Sequence, residues 1–317
     1  MAFLELLEKN RSPFMDRIVL WITELGGEAF LIVFGLIVLW CVNKGLGRYM
    51  LSVGIIGTVM SQWLKILCRV PRPWVLKEGF TIVEAAREGA GGYSFPSGHS
   101  QSAAAVFGCL ALWYKKRAAV IACALLTALV LFSRMYLGVH TPWDVAVGCL
   151  LSLALAVLLR PLFSAGSPTR TRAALLICLA CSAAFALYMS LCSFGADTDK
   201  DNLNEAAKNA WLLLGGSAGI CLAFEIDERF VRYDTRAAWY VQIVKCVLGA
   251  GLVFLLRMAL KKPLLSLFGG HPAADAVRYF ILCLFGAGVW PMSFKFLRRM
   301  EKGADKAEPP RVRETRA

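Results

Sequence analysis

"AAVIACALLTALVLFSRMYLGVHTPWDVAVGCLLSLALAVLLRPL", residues 118–162, decides the fold. It holds two apolar blocks, 118–138 and 142–162, each close to the roughly 20 residues with which a helix crosses about 30 Å of hydrocarbon. A tight connection at 138–141 joins them, so the chain turns straight back on itself. Similar blocks recur outward in both directions, at 27–43, 47–68, 98–114, 172–194, 206–226, 237–260 and 274–297. Hydrophobic residues make up 58% of the 317 and charged residues 18%, against about 45–50% and about 25% in soluble domains. The expected fold is an all-α polytopic membrane helix bundle of about nine transmembrane helices, with its termini on opposite sides.

The formal charge of +13 is first a statement about topology. Lys and Arg accumulate in cytoplasmic loops, and one side collects Lys44, Arg48, Lys115, Lys116, Arg117, Arg160, Arg170, Arg172, Arg229, Arg232, Arg236 and the tail from Arg298. That side is expected to be cytoplasmic, C-terminus included, in a plasma or cytoplasmic membrane. Nucleic acid is not an expected partner; the bilayer is. The opposite, extracytoplasmic side receives the long loop 69–97, the 138–141 turn, the acidic "DTDKDNLNE" at 197–205 and the loop around His271.

The chain divides into an interfacial amphipathic segment (1–26), a core of spans one to five (27–163), a second set of spans six to nine (164–297) entered through "SAGSPTR" at 164–170, and a basic tail (298–317). The eleven cysteines lie almost all inside apolar blocks and read as small hydrophobes. Cys178 and Cys181 form a CxxC pair with no acid or histidine beside them, which reads as packing rather than metal or redox chemistry.

Chemistry concentrates at a few positions. Of three histidines, His99 and His140 stand at helix mouths on the same side of the membrane. In "SRMYLGVHTPWD", Arg134 ends one span and Pro142 starts the next. Asp144 can then fold back onto the His140 ring, fix its tautomer and leave the other ring nitrogen free as nucleophile or base. "KILCRVPRP" puts Lys65, Arg69 and Arg72 at the end of span two. "PSGH" adds a helix N-terminus, where the Ser97 hydroxyl and the Gly98 N–H can approach an anion. Three cations and a helix N-terminus fit a phosphate.

Lys65…Arg72-Pro73, Pro96-Ser97-Gly98-His99 and Ser133-Arg134…His140…Asp144 resemble the three signature motifs of the type 2 phosphatidic acid phosphatase superfamily. The resemblance implies a catalytic core in spans two to five. It implies that His140 attacks phosphorus to give a phosphohistidine, that Asp144 orients it, and that His99 is the general acid and then base. Lys65, Arg72, Ser97, Gly98 and Arg134 would hold the phosphate oxygens, with no metal and no cofactor. Opposite protonation states for the two histidines place the expected activity at mildly acidic to neutral pH.

The expected function is therefore metal-independent hydrolysis of a lipid phosphate monoester or pyrophosphate on the extracytoplasmic face. The span count and the stretch 15–44 look most like the sphingosine-phosphate-phosphatase-like branch, and glucose-6-phosphatase is similar in span count. A phosphotransferase or a sugar-phosphate phosphatase on the same site stays open. So does a noncatalytic transporter or binding protein with an anion pocket, although anion binding alone does not need His99, His140 and Asp144. A related haloperoxidase is disfavoured by membrane embedding. The substrate, a homo-oligomeric state, and the roles of spans six to nine are not decided by these residues. Glu225 and Lys245 are ionisable groups in apolar spans, where such groups are costly, and either pair or line a headgroup groove. Arg69 reads as a rim charge and His271 as a loop or cap residue.

Overall fold

The computed structural model describes residues 1–164, 168–195 and 199–298. Its helices are α1 (Ala2–Lys9), α2 (Pro13–Glu24), α3 (Glu28–Ile37, continued by a π turn over Val38–Val42), α4 (Lys44–Cys68), α5 (Pro73–Leu76), α6 (Gly98–Tyr114), α7 (Arg117–Tyr136), α8 (Pro142–Ser164), α9 (Pro168–Leu191), α10 (Lys200–Ile226), α11 (Trp239–Leu267) and α12 (Ala273–Leu284). No strand occurs among the described residues. The protein is a multi-pass integral membrane protein with an all-α bundle fold.

Every expected span finds a helix, but the count needs correction. Among the described residues seven helices are long and apolar enough to cross a bilayer, or eight if Pro13–Glu24 and Glu28–Val42, bent by 49°, form one span. The expected span 27–43 is too short on its own, and the chain breaks at Gly26 and Gly27 to turn into it. The expected span 98–114 is α6, with 17 residues, which at 1.5 Å per residue rises only about 25 Å. Ser97 caps its start and Lys115, in the left-handed region at φ 53°, ends it. This short helix is enclosed by α4, α7 and α8, and Ala103, Ala104, Val106 and Cys109 on it are fully buried. It is the axis around which the first half is built.

The second half packs by close backbone approach. Gly215 and Gly219 on α10 repeat the small-xxx-small spacing that lets membrane helices touch. A Cβ at Gly215 would lie 1.9 Å from the Ala276 carbonyl oxygen, and one at Gly219 would lie 2.6 Å from that of Phe280, both on α12. At the end where α4 begins, Lys44 (3.0 Å) and Arg48 (2.5 Å) grip the buried Asp227 and tie α4 to the end of α10. Glu225 pairs with Arg172 (2.7 Å) and Arg229 at that same end. Lys245 lies over the Phe294 ring at 4.7 Å and donates to the Thr235 carbonyl at 3.4 Å. Glu225 and Lys245 therefore do not pair with each other. All eleven cysteines are free.

The N-terminal segment forms two helices laid against the opposite end. Arg11 donates to the carbonyls of Tyr136 and Thr81, each at 2.8 Å, and the Tyr136 hydroxyl donates to Asp16 at 2.9 Å. Phe14 and Trp21 stay 72% and 80% exposed, an apolar outer surface suited to an interface. His271 accepts from the Ala273 N–H at 3.1 Å and so caps α12. Of the segments singled out in the sequence, 165–167 of the linker, 197–198 of the acidic stretch and 299–317 of the tail lie outside the described residues.

Candidate active site

The end of α4, the start of α6 and the α7–α8 turn converge, and the 69–97 loop folds over them. Between these parts lies a cavity of about 210 Å³ lined by Lys65, Arg72, Gly98, His99, Gln101 and His140. Glu28, Glu88, Glu205 and Asn209 also line it. Five of the eight expected site residues thus share one cavity. Ser97, Arg134 and Asp144 are buried behind it.

His140 sits in the turn between α7 and α8, almost fully buried. Its Nε2 lies 2.9 Å from Arg72 Nη1. The same Nη1 lies 3.4 Å from Nδ1, so the guanidinium sits beside both ring nitrogens. Nδ1 in turn looks toward Asp144 Oδ2 at 3.6 Å and Ser94 Oγ at 3.4 Å. Asp144 does fold back as its place in the first turn of α8 suggested. It is fixed by the Thr141 N–H (2.7 Å) and by the Ser94 hydroxyl (2.6 Å). Ser94 is a residue the sequence reading passed over; it completes a Ser94–Asp144–His140 chain whose outer end, Nε2, lies beside Arg72. Burial, reinforced by the charges of Arg72, Arg134, Lys65 and His99, pushes the His140 imidazole well below the ordinary histidine range. The ring is neutral at neutral pH, which is the state a nucleophile needs.

The cations are held in place by backbone carbonyls. Arg72 donates from Nε to Gly92 O (3.0 Å), from Nη2 to Gly91 O (2.8 Å) and from Nη1 to Val139 O (3.0 Å). Lys65 donates to the Tyr93 carbonyl. The loop 91–93 therefore orients two cations at once, a role carried by backbone that residue type does not announce. Arg134 donates from Nη1 to Thr23 Oγ1 at 2.8 Å, while its Nε and Nη2 are buried with no protein partner. Such orphaned donors cost about 1–3 kcal/mol each, and an anion's oxygens would offset that.

Ser97 is the N-cap of α6: its hydroxyl oxygen accepts from the Ser100 N–H at 3.4 Å, and its own N–H donates to the Asp144 carbonyl at 2.9 Å. It links α6 to α8 and presents Gly98 and His99 to the cavity. The two helices approach so closely that a Cβ at Gly148 would lie 2.5 Å from the Ser97 carbonyl oxygen. Arg69 lies over Phe194, at 5.3 Å, away from this cavity.

Comparison with known proteins gives two matches along the chain. The PAP2 superfamily profile matches residues 45–167, and that of the "PAP2 superfamily phosphatase, transmembrane extension" matches 211–302. Sphingosine-1-phosphate phosphatase 1 of Rattus norvegicus is 27% identical over 283 residues, covering 80% of this chain and 62% of the relative. Phosphatidylglycerophosphatase B of Bacillus subtilis is 30% identical over 161 residues, covering 47% and 76%. Undecaprenyl-diphosphatase BcrC of the same organism is 29% identical over 158 residues, covering 49% and 76%. The chain thus spans less than two thirds of the rat relative's length. No solved structure gives a significant match. On the combined weight of these matches and the converged motif residues, the chain belongs to the PAP2 superfamily.

Proposed function

We propose that the protein is a phosphoric ester hydrolase of membrane lipid phosphates that works through His140. The observation that carries this is the buried, neutral His140 ring, with Nδ1 toward Asp144 and Nε2 beside Arg72 in a cavity that Lys65 also lines. The Nε2 lone pair attacks phosphorus, the P–O bond to the leaving group breaks, and His99 passes a proton from the incoming phosphate monoanion to the departing oxygen. Water then attacks the phosphohistidine with His99 accepting its proton; the P–N bond breaks and inorganic phosphate leaves. Asp144, braced by Ser94, holds the His140 ring and its Nδ1 proton throughout. Lys65, Arg72 and Arg134, with the Gly98 N–H, neutralise the phosphoryl oxygens, so the charge stabilisation that dominates phosphoryl transfer needs no metal.

The basic residues of the helix ends support an extracytoplasmic site and a cytoplasmic C-terminus, since Lys44, Arg48, Lys115, Lys116 and Arg117 belong to the ends remote from the cavity. In this reading 27–163 is the catalytic core, 164–297 adds the second set of spans, 1–26 rests at the interface, and 298–317 is a cytoplasmic tail. Lipid substrates are supported by the relatives, which are named for sphingosine 1-phosphate, phosphatidylglycerophosphate and undecaprenyl diphosphate. The test is phosphate release by detergent-purified protein, with chelator present, from lipid phosphates, polyprenyl pyrophosphate and glucose 6-phosphate. Release from a lipid phosphate that persists in chelator and vanishes in His140→Ala is expected. A wild type inactive on the whole panel would refute hydrolysis, and loss of activity on chelation would refute the metal-free mechanism.

A further inference from the structure

An apolar cavity of about 320 Å³ lies between α3, α10, α11 and α12. Glu28, Ile32, Leu36 and Trp40 line it, four residues apart down one side of α3 and its π-helical continuation. At 1.5 Å per residue the groove runs about 18 Å, close to the roughly 15 Å of one leaflet in a hydrocarbon core of about 30 Å. Its deep end is closed: Trp40 is fully buried and its indole N–H donates to the Gly286 carbonyl at 2.9 Å. Its other end is polar, with Glu28, Arg257 and Tyr279 at the mouth.

Glu28 lines both this groove and the cavity of Lys65, Arg72 and His140. Its carboxylate makes no hydrogen bond or ion pair within the described residues, although the charges of Arg257, Glu205 and Lys208 act on it. Glu28 opens α3 and is exposed at this junction, so its carboxylate is accessible to a ligand. Cations on one side, a carboxylate at the junction and a closed apolar slot one leaflet long on the other reproduce, in order, the parts of a single-chain phosphate ester.

We propose that the groove between α3, α10, α11 and α12 takes the single hydrocarbon chain of the substrate, and that Glu28 accepts a hydrogen bond from an amine or hydroxyl on the carbons joining chain to phosphate. This rests on the phosphatase reading and assigns the C-terminal helices a role in selecting substrate by chain length.

Two measurements test it. The first compares kcat/KM across alkyl phosphates of 4 to 18 carbons, and across matched long-chain phosphates carrying a 2-amino group, a 2-hydroxyl or neither. Ala250→Trp, which fills the deep half of the groove, shifts the chain-length optimum to shorter chains and lowers the long-to-short ratio at least tenfold. Glu28→Gln lowers the preference for the donor-bearing esters at least tenfold; whichever of amine or hydroxyl loses more is the group bound. An unchanged chain-length profile in Ala250→Trp overturns the groove, and an unchanged preference in Glu28→Gln overturns the carboxylate's role. The second does not need turnover: hexadecyl phosphate with a terminal diazirine, photolysed on wild-type protein, labels peptides around Trp40, Ala250 and Gly286. Label scattered over the lipid-facing sides of α7 and α8 instead overturns the groove as well. If no ester is hydrolysed but the label falls at Trp40, the phosphatase reading fails and the groove stands.

Discussion

Arg72 Nη1 rests 2.9 Å from His140 Nε2, with the same guanidinium tied to the carbonyls of Gly91, Gly92 and Val139. In the proposed mechanism this cation lies beside the attacking atom, so an arriving phosphoryl group takes over the Nη1–H as it approaches Nε2. Lysine cannot reproduce this fork. Arg72→Lys is expected to lower kcat/KM by about 10- to 100-fold, the worth of one charged hydrogen bond, with monodisperse protein of unchanged Tm. Steady-state kinetics on a lipid phosphate checks it.

The low-pH limb reports His140. Its imidazole is held well below the ordinary histidine range by burial and by Arg72, Arg134, Lys65 and His99. Protonation removes the nucleophilic lone pair, so activity is present above that depressed pKa and lost as pH falls through it. The acid limb of kcat/KM is expected below about pH 6.5, the ordinary histidine value. Arg134→Gln removes one repelling charge, raises the His140 pKa and moves the acid limb to higher pH. A downward movement would contradict the assignment.

Ser94 donates to Asp144 at 2.6 Å and lies 3.4 Å from His140 Nδ1. Ser94→Ala is expected to reduce kcat by about 10- to 100-fold with KM little changed, because ring orientation and not phosphate binding is lost. Ser94→Thr restores most of the rate. A loss confined to KM would place Ser94 on the substrate instead.

Gly148 lets α8 touch the turn that starts α6. In Gly148→Val the new Cβ would meet the Ser97 carbonyl oxygen at 2.5 Å, so the α6 N-terminus must move away from the α7–α8 turn. Misplacement on the ångström scale is worth about 100-fold in rate. That loss is expected in a folded bundle, read by kinetics beside size-exclusion and Tm.

The parts legible in the sequence were those that stand out against an apolar background. Lys65, Arg72, Arg134, His99, His140 and Asp144 are rare residue types at helix mouths, and the structure brings them to one end of the bundle. Ser94 carries no such contrast, and the carbonyls of Gly91, Gly92 and Tyr93 carry no residue-type signal; their importance arises only when the 69–97 loop folds over the site. Hydropathy likewise locates a span without its bends or neighbours. It could not tell that α2 and the 28–42 helix meet at a 49° bend, or that α6 has only 17 residues and lies at the centre of the first half. Ser97, read from its motif as a phosphate contact, also caps α6 through its hydroxyl oxygen, an acceptor role that leaves its O–H able to donate. Glu28 was hidden by its place within an apolar block.

The central claim, that His140 Nε2 attacks phosphorus, is tested most directly by rapid quench with a substrate labelled with ³²P in the phosphate. The account predicts transient label on the peptide containing His140, labile in acid and stable in base, and absent in His140→Ala. Label on His99 or on a carboxylate, or full turnover with no protein-bound phosphate at the earliest quench times, would contradict it.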